Sequence, residues 1–140
     1  MARLHAALML LARAMMATIF LVEGWAKIRA YDEIVAYMQT YHVPGRLLPL
    51  VIVTELCGGV LVLLGLGTRA AALALAGFSI LTAIFFHREL SDPDQAINFY
   101  KNVAMAGGFV ALVACGAGPW SLDAVGAELR ASRRAVGPVS

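Results

Sequence analysis

Charged residues are scarce in this chain, and its cysteines are few and far apart. Only 14% of the 140 residues are charged, the formal net charge is +2, and 61% are hydrophobic. So small a charge offers no surface for nucleic acid, and so apolar a composition is typical of a membrane protein rather than a soluble domain. The two cysteines, Cys57 and Cys115, form neither a CxxC nor a zinc-binding pattern, and are expected to be small core residues.

Four apolar stretches are long enough to cross a bilayer, whose hydrocarbon layer takes about 20 helical residues. They cover residues 4–27, 47–66, 70–87 and 96–116. Between the first two, Tyr31, Ile34 and Met38 recur at helical spacing among acidic residues, which predicts a short amphipathic helix on the bilayer surface. The predicted fold is therefore all-α, a polytopic membrane protein with a four-transmembrane-helix bundle over residues 1–120. Residues 121–140 are expected to form a polar, basic and frayed tail.

An even number of spans places both termini on one side of the membrane. With Arg13 treated as intramembrane, the basic residues divide equally between the two sides, but the loop acids crowd the side away from the termini. We therefore expect both termini in the cytoplasm. The first stretch is interpreted as a retained helix rather than a signal peptide, because Arg13 interrupts its apolar run and Glu23 and Lys27 stand where small cleavage-site residues belong.

Glu55 lies near the centre of the second apolar stretch. A carboxylate there costs roughly 2.5–3.5 kcal/mol on insertion scales, so it needs a proton, a cation or a wet cavity. Gly58 and Gly59 share its helix face and allow another backbone to approach closely. Lys101 enters the same membrane half from the fourth stretch and is the expected partner of Glu55, with Lys27 or Arg13 as the next candidates.

Polar residues of all four spans lie toward one face of the membrane, and one pocket could contain them. Such clusters within a bundle mark ligand, proton or ion sites, although the same charges could simply cap helix ends and neutralise one another. No metal or haem spacing is present among the three histidines. The candidate ligand-binding or proton-relay residues are Glu23, Lys27, Glu55, His87, Asn98, Lys101 and Asn102.

Short elements occur in a fixed order along nearly the whole chain. They are Arg13, Phe20, Gly24, Lys27, ELCGG at 55–59, GLGTR at 65–69, His87, NFYKN at 98–102, GG at 107–108 and GPWSLD at 118–123. Together, in this order and spacing, they resemble the DoxX family of small bacterial four-helix membrane proteins. Some members are named as subunits of quinone-linked thiosulfate or terminal oxidase systems, and others are associated with redox-stress complexes. The resemblance implies a bacterial inner (plasma) membrane location and a redox or quinone connection.

The leading hypothesis is an integral membrane subunit of a redox or respiratory assembly, at most a subunit of a quinone-linked oxidoreductase. Its pocket would contact a quinone or relay protons, with Lys101 and His87 as donors and Glu55 as proton acceptor. No tightly bound cofactor is expected, and the partners are the bilayer and either a protein of the same complex or a second copy of the chain. The alternatives are a non-catalytic membrane anchor or assembly factor and, disfavoured by four short unbroken helices, a small-solute permease.

Overall fold

Four long apolar helices dominate the computed structural model, which describes residues 1–136. The spanning helices are α1 (Ala2–Arg29), α3 (Leu48–Leu64), α4 (Thr68–Phe86) and α5 (Pro93–Cys115). Each is long and apolar enough to cross a membrane, α3 when counted with the 3-10 turn before it as Gly45–Leu64, and no fifth helix of residues 1–136 is. The all-α four-span prediction is confirmed.

Two shorter helices complete the described chain. The amphipathic α2 (Tyr31–Thr40) follows α1, as the sequence predicts, and a single 3-10 turn, Gly45–Leu47, leads into α3. The amphipathic α6 (Leu122–Val136) follows α5. The expectation of a frayed tail is wrong for residues 122–136, because apolar and basic residues recur there at helical spacing; residues 137–140 lie outside the described range.

The spanning helices associate as two pairs. α1 packs along α3 and α4 packs along α5, while α3 and α4 join the pairs across a tight turn. Glycine permits the α1–α3 approach, since a Cβ added at Gly59 would lie 3.5 Å from the carbonyl oxygen of Ala17. Small residues and rings fill the centre, where Phe20 packs edge-on against Phe109 at 5.3 Å between ring centroids.

The bundle presents large apolar side chains outward, as a lipid-facing surface requires. Examples are Leu50, Leu73 and Val110, each more than half exposed. Cys57 and Cys115 are also exposed and free, so the expectation that they are core residues is wrong. Their helices turn them toward the lipid, where a small apolar thiol is tolerated without packing partners.

One end of the bundle is joined by side chains that cap helices other than their own. Arg13 is 1% exposed and donates from Nη1 to the carbonyl oxygen of Leu63 at 3.2 Å, at the end of α3, and from Nη2 to that of Trp120. Asp123 accepts from the backbone N–H groups of Gly67 at 2.7 Å and Thr68 at 2.9 Å, at the start of α4. Such bonds satisfy backbone groups that a helix terminus leaves unpaired.

Arg69 completes this set by donating to the carbonyl oxygen of Ala114 at 3.4 Å, near the end of α5. We call Arg13, Arg69 and Asp123 the cross-capping cluster. The expectation that Arg13 is a candidate partner for Glu55 is wrong, because its guanidinium lies at the α3–α4 turn, whereas Glu55 pairs with Lys27. Gly65 makes this possible, since its φ is +69° and a Cβ there would overlap the Arg13 guanidinium.

Candidate functional site

A cavity of about 330 Å³ lies between the helices at the end of the bundle opposite the cross-capping cluster. It is bounded by α1, α3, α4 and α5, and α2 covers it with Ile34, Tyr37 and Met38. Its size is at the lower limit of small-molecule sites, sufficient for a ring with a few substituents. The residues that the sequence singles out all line it: Glu23, Lys27, Glu55, His87, Asn98, Lys101 and Asn102.

Glu55 forms its ion pair with Lys27 of α1. Lys27 Nζ lies 3.0 Å from Glu55 Oε1 and 3.2 Å from Glu23 Oε2, and therefore bridges two carboxylates. The Glu55 side chain is 5% exposed, that of Lys27 18% and that of Glu23 54%. The three charged side chains thus form a chain from the half-exposed Glu23 to the buried Glu55 in the interior of the bundle.

The expected pairing of Glu55 with Lys101 is wrong. Lys101 Nζ instead donates to Asn98 Oδ1 at 2.7 Å, on its own helix, and Lys101 is exposed. The reason is the pairing of the helices, since α3 packs against α1 whereas α5 packs against α4. Gly24 also brings α1 close to the acid, because a Cβ added there would lie 3.2 Å from Glu55 Cβ.

The second carboxylate oxygen of Glu55 is buried and has no hydrogen-bond partner within residues 1–136. A buried, unsatisfied carboxylate oxygen is costly, and native proteins normally supply a donor or a water. Glu55 is one of the residues that line the cavity, and within residues 1–136 its Oε2 is an acceptor that no donor uses.

His87 lines the cavity and is held by a hydrogen-bonded chain through Gln95 to Tyr41 that the sequence does not reveal. Gln95 Nε2 donates to Tyr41 Oη at 3.2 Å, so Gln95 Oε1 is left to accept from His87 Nδ1 at 3.0 Å. A neutral His87 held in this way carries its proton on Nδ1 and presents Nε2 as an acceptor. The sequence interpretation misses Gln95 because it treats residues 91–95 as a loop. In fact Asp92 caps α5, its side chain accepting from Asp94 N at 2.9 Å.

Aromatic rings hold α2 over the cavity. Phe86, at the end of α4, stacks on Tyr37 at 5.8 Å and meets Tyr41 edge-on at 5.4 Å. Burial, then a side-chain hydrogen bond with Tyr41, and last the charge that Tyr41 would carry raise the pKa of Tyr37 to about 12, so this phenol remains neutral at physiological pH. The cover of the cavity is therefore apolar and uncharged along its inner side.

The asparagines of α5 support the wall of the cavity. Asn102 is buried and donates from Nδ2 to the carbonyl oxygen of Asn98 at 2.9 Å, and Asn98 donates in the same way to Asp94 at 2.8 Å. Both amide groups thus fold back on the helix, and Asn98 also accepts from Lys101. No cluster of three or more potential metal ligands occurs in residues 1–136.

This fold and cavity define a class of protein, namely a polytopic helical membrane protein with a charged pocket inside its bundle. Comparison with known proteins supplies the family. The model of the DoxX family matches residues 8–88, and the chain belongs to that family.

Two similar proteins of Escherichia coli strain K12 carry inner-membrane names. The chain is 42% identical to the inner membrane protein YqjF over 114 residues, which are 81% of this chain and 88% of that protein. It is 34% identical to the inner membrane protein YphA over 123 residues, 83% of this chain and 88% of that protein. No solved structure matches the chain. The protein is thus a DoxX-family protein of the bacterial inner membrane.

Proposed function

We propose that this protein is an integral membrane subunit of a redox or respiratory assembly and that its cavity binds a quinone-type head group. The observation that carries the proposal is the Glu55 carboxylate. One oxygen is held by Lys27, and the other is buried without a partner among residues 1–136, on a residue that lines the cavity. A hydroxyl of a reduced head group would supply the missing donor.

The rest of the lining fits such a ligand. Phe20, Phe78 and Phe86 offer apolar contacts to a ring, whereas Lys101 offers a cationic donor and His87 a ring nitrogen. An apolar pocket with a few convergent polar groups is the usual form of a small-molecule site. At about 330 Å³ the cavity accommodates the head group, and the apolar tail of the ligand would remain in the bilayer.

In this proposal Glu55 accepts a hydrogen bond or a proton from the ligand, and Lys27 holds the carboxylate in position. Glu23 leads from the pair toward the aqueous phase, because its side chain is half exposed and shares Lys27. A quinone, when bound, would supply the electron chemistry, and an electron-transferring partner would belong to the assembly.

The test is to extract and quantify quinone that co-purifies with the protein in mild detergent. We expect bound quinone well above that of a membrane protein of similar lipid content, and its loss in Glu55→Gln. Glu128→Gln is the matched control, because Glu128 is an exposed acid on α6 at the other end of the molecule. Equal quinone in the two variants would contradict the proposal. A stoichiometric protein partner without quinone would favour the anchor or assembly factor.

A further inference from the structure

We propose that α6, together with Arg69, is a binding surface for the phosphate head groups of anionic phospholipids. The proposal is independent of what the cavity binds, because it concerns the opposite end of the molecule. It rests on the placement of α6, on the division of its surface and on a basic groove beside it.

α6 follows the last spanning helix and is joined to the bundle mainly through its first turn. Six residues separate the end of α5 from Leu122, and Asp123 N donates to the carbonyl oxygen of Gly65 at 2.8 Å, in the α3–α4 turn. Within the described chain, α6 does not pack lengthwise against any spanning helix. α6 therefore lies beside the ends of α3, α4 and α5. In a membrane, the ends of spanning helices reach the level of the lipid head groups.

The surface of α6 divides into an apolar stripe and a basic flank. At about 100° per residue, Leu122, Val125 and Leu129 fall within about 60° of one another. Their exposures are 45%, 51% and 60%, so the described chain leaves the stripe uncovered. Next to this stripe is a basic sector that covers about 100° around the helix axis. It contains Arg130, Arg133 and Arg134. A helix with this division is suited to lie in the interface of an anionic membrane.

A groove of about 550 Å³ runs between α6 and the start of α4 on the basic flank. Arg69 and Arg130 line it from the two helices, and its other lining residues include glycine and alanine, which leave room for a ligand. Asp123 also lines it, but both of its carboxylate oxygens are bound to the start of α4. Arg69 uses only Nη2 for its bond to the carbonyl oxygen of Ala114, so the groove is left with the other N–H groups of Arg69 and with Arg130, which suit a phosphate.

The charge of this end of the molecule matches an anionic head-group layer. Six basic residues belong to it, and they are opposed by Asp123 and Glu128. At the cavity end, seven acidic residues outnumber five basic ones. The basic residues at the α6 end are Arg3, Arg13, Arg69, Arg130, Arg133 and Arg134.

Short-chain lipids in detergent provide a direct test. Binding of dioctanoyl-phosphatidylglycerol is measured for the full-length protein and for Arg130→Gln/Arg133→Gln/Arg134→Gln. The matched control is Arg29→Gln/Arg46→Gln/Arg88→Gln, which removes three exposed arginines from the other end. Each arginine near an anionic surface is worth roughly fivefold in affinity. We expect the α6 variant to bind about a hundredfold more weakly and the control to bind nearly as the unaltered protein does.

Three further measurements define the ligand and could overturn the proposal. Dioctanoyl-phosphatidylcholine should bind weakly to all three proteins, since it lacks net negative charge. Inorganic phosphate at equal ionic strength should not compete; if it alone saturates the site, the groove is a soluble-anion pocket and the proposal fails. The proposal also fails if the two triple variants lose affinity equally. Equal thermal midpoints of the variants in lipid-free detergent establish that both are folded.

Discussion

At the scale of single residues, the two ends of the bundle use charge in different ways. Lys27 bridges two carboxylates beside the cavity, whereas Arg13 bonds to backbone carbonyl oxygens and Asp123 to backbone N–H groups. A charge bonded only to helix ends serves the fold. Glu55 differs from both, because one of its carboxylate oxygens is buried and finds no hydrogen-bond partner within residues 1–136.

The Lys27–Glu55 pair should be energetically coupled. Removing one partner leaves the other charge inside the bundle, so Lys27→Met or Glu55→Gln should each destabilise the protein by about 2–3 kcal/mol, between the values for exposed and fully buried pairs. The double variant should lose less than the sum of the two, as measured by thermal or denaturant unfolding in detergent. The control is Lys101→Met combined with Glu55→Gln, which should be additive. Additivity for Lys27 with Glu55 would refute the pairing.

Asp123 should stabilise the protein in a pH-dependent way. Burial alone would raise its pKa, but the backbone N–H groups of Thr68 and Gly67, with the nearby Arg13 charge, outweigh it and hold the pKa below its ordinary value. The stabilisation is therefore fully present above the unfolded pKa, near 4, and is lost as the pH falls through the lower folded pKa.

Asp123→Asn should accordingly cost up to about 1 kcal/mol at pH 7, because the amide has one acceptor oxygen where the carboxylate uses two and lacks the charge that a helix N-terminus favours, and the difference from the unaltered protein should shrink toward pH 3. Thermal midpoints of both proteins across this range give the measurement. Glu128→Gln, on the same helix, should show almost no effect at any pH. A difference for Asp123→Asn that does not change with pH would rule out the charged cap.

At the scale of elements, α2 is held to the bundle by few contacts compared with the spanning helices. Met38 is its one buried residue, and the rings of Tyr37 and Tyr41 meet Phe86. Elements with few buried contacts open more readily than the core. Because α2 covers the cavity, its opening is a route by which a ligand could enter.

Phe86→Ala should therefore loosen α2 without unfolding the bundle. Hydrogen exchange of the α2 amides should accelerate about tenfold or more, since the aromatic contacts are worth roughly 1–2 kcal/mol together, while α3 and α4 keep their protection. Phe85→Ala is the control, because Phe85 is 52% exposed and is not one of the rings packed on α2. Equal acceleration in both variants would indicate a general loss of stability instead.

At the scale of the whole molecule, α2 and the cavity lie at one end and α6 at the other. Asp92 caps α5 at the cavity end, and Ser132 lies on α6. The charge distribution leads us to expect α6 in the cytoplasm. An impermeant thiol reagent added to intact cells should then label Asp92→Cys and miss Ser132→Cys, both in a Cys57→Ala/Cys115→Ala background that retains function. The reverse labelling would invert the orientation.

Much of this architecture follows from the sequence, because hydropathy reports span length and the membrane permits little besides helices. The gathering of Glu23, Glu55 and His87 around one cavity follows from the same reasoning, since alternating spans bring their residues to a common end. The identity of the residue that pairs with Glu55 does not follow from the sequence, because it depends on which helices pack side by side. The role of Arg13 is equally hidden, since its acceptors are backbone carbonyl oxygens 49 or more residues away.

The cross-capping cluster has a consequence for biosynthesis. Arg13 needs the carbonyl oxygen of Trp120, and the start of α4 needs the carboxylate of Asp123, although α1, α3 and α4 all leave the ribosome earlier. A nascent chain that has inserted all four spans therefore still has an incompletely capped α4 and an incompletely bonded Arg13. Co-translational folding of this membrane protein is completed only when the segment after its last span has emerged.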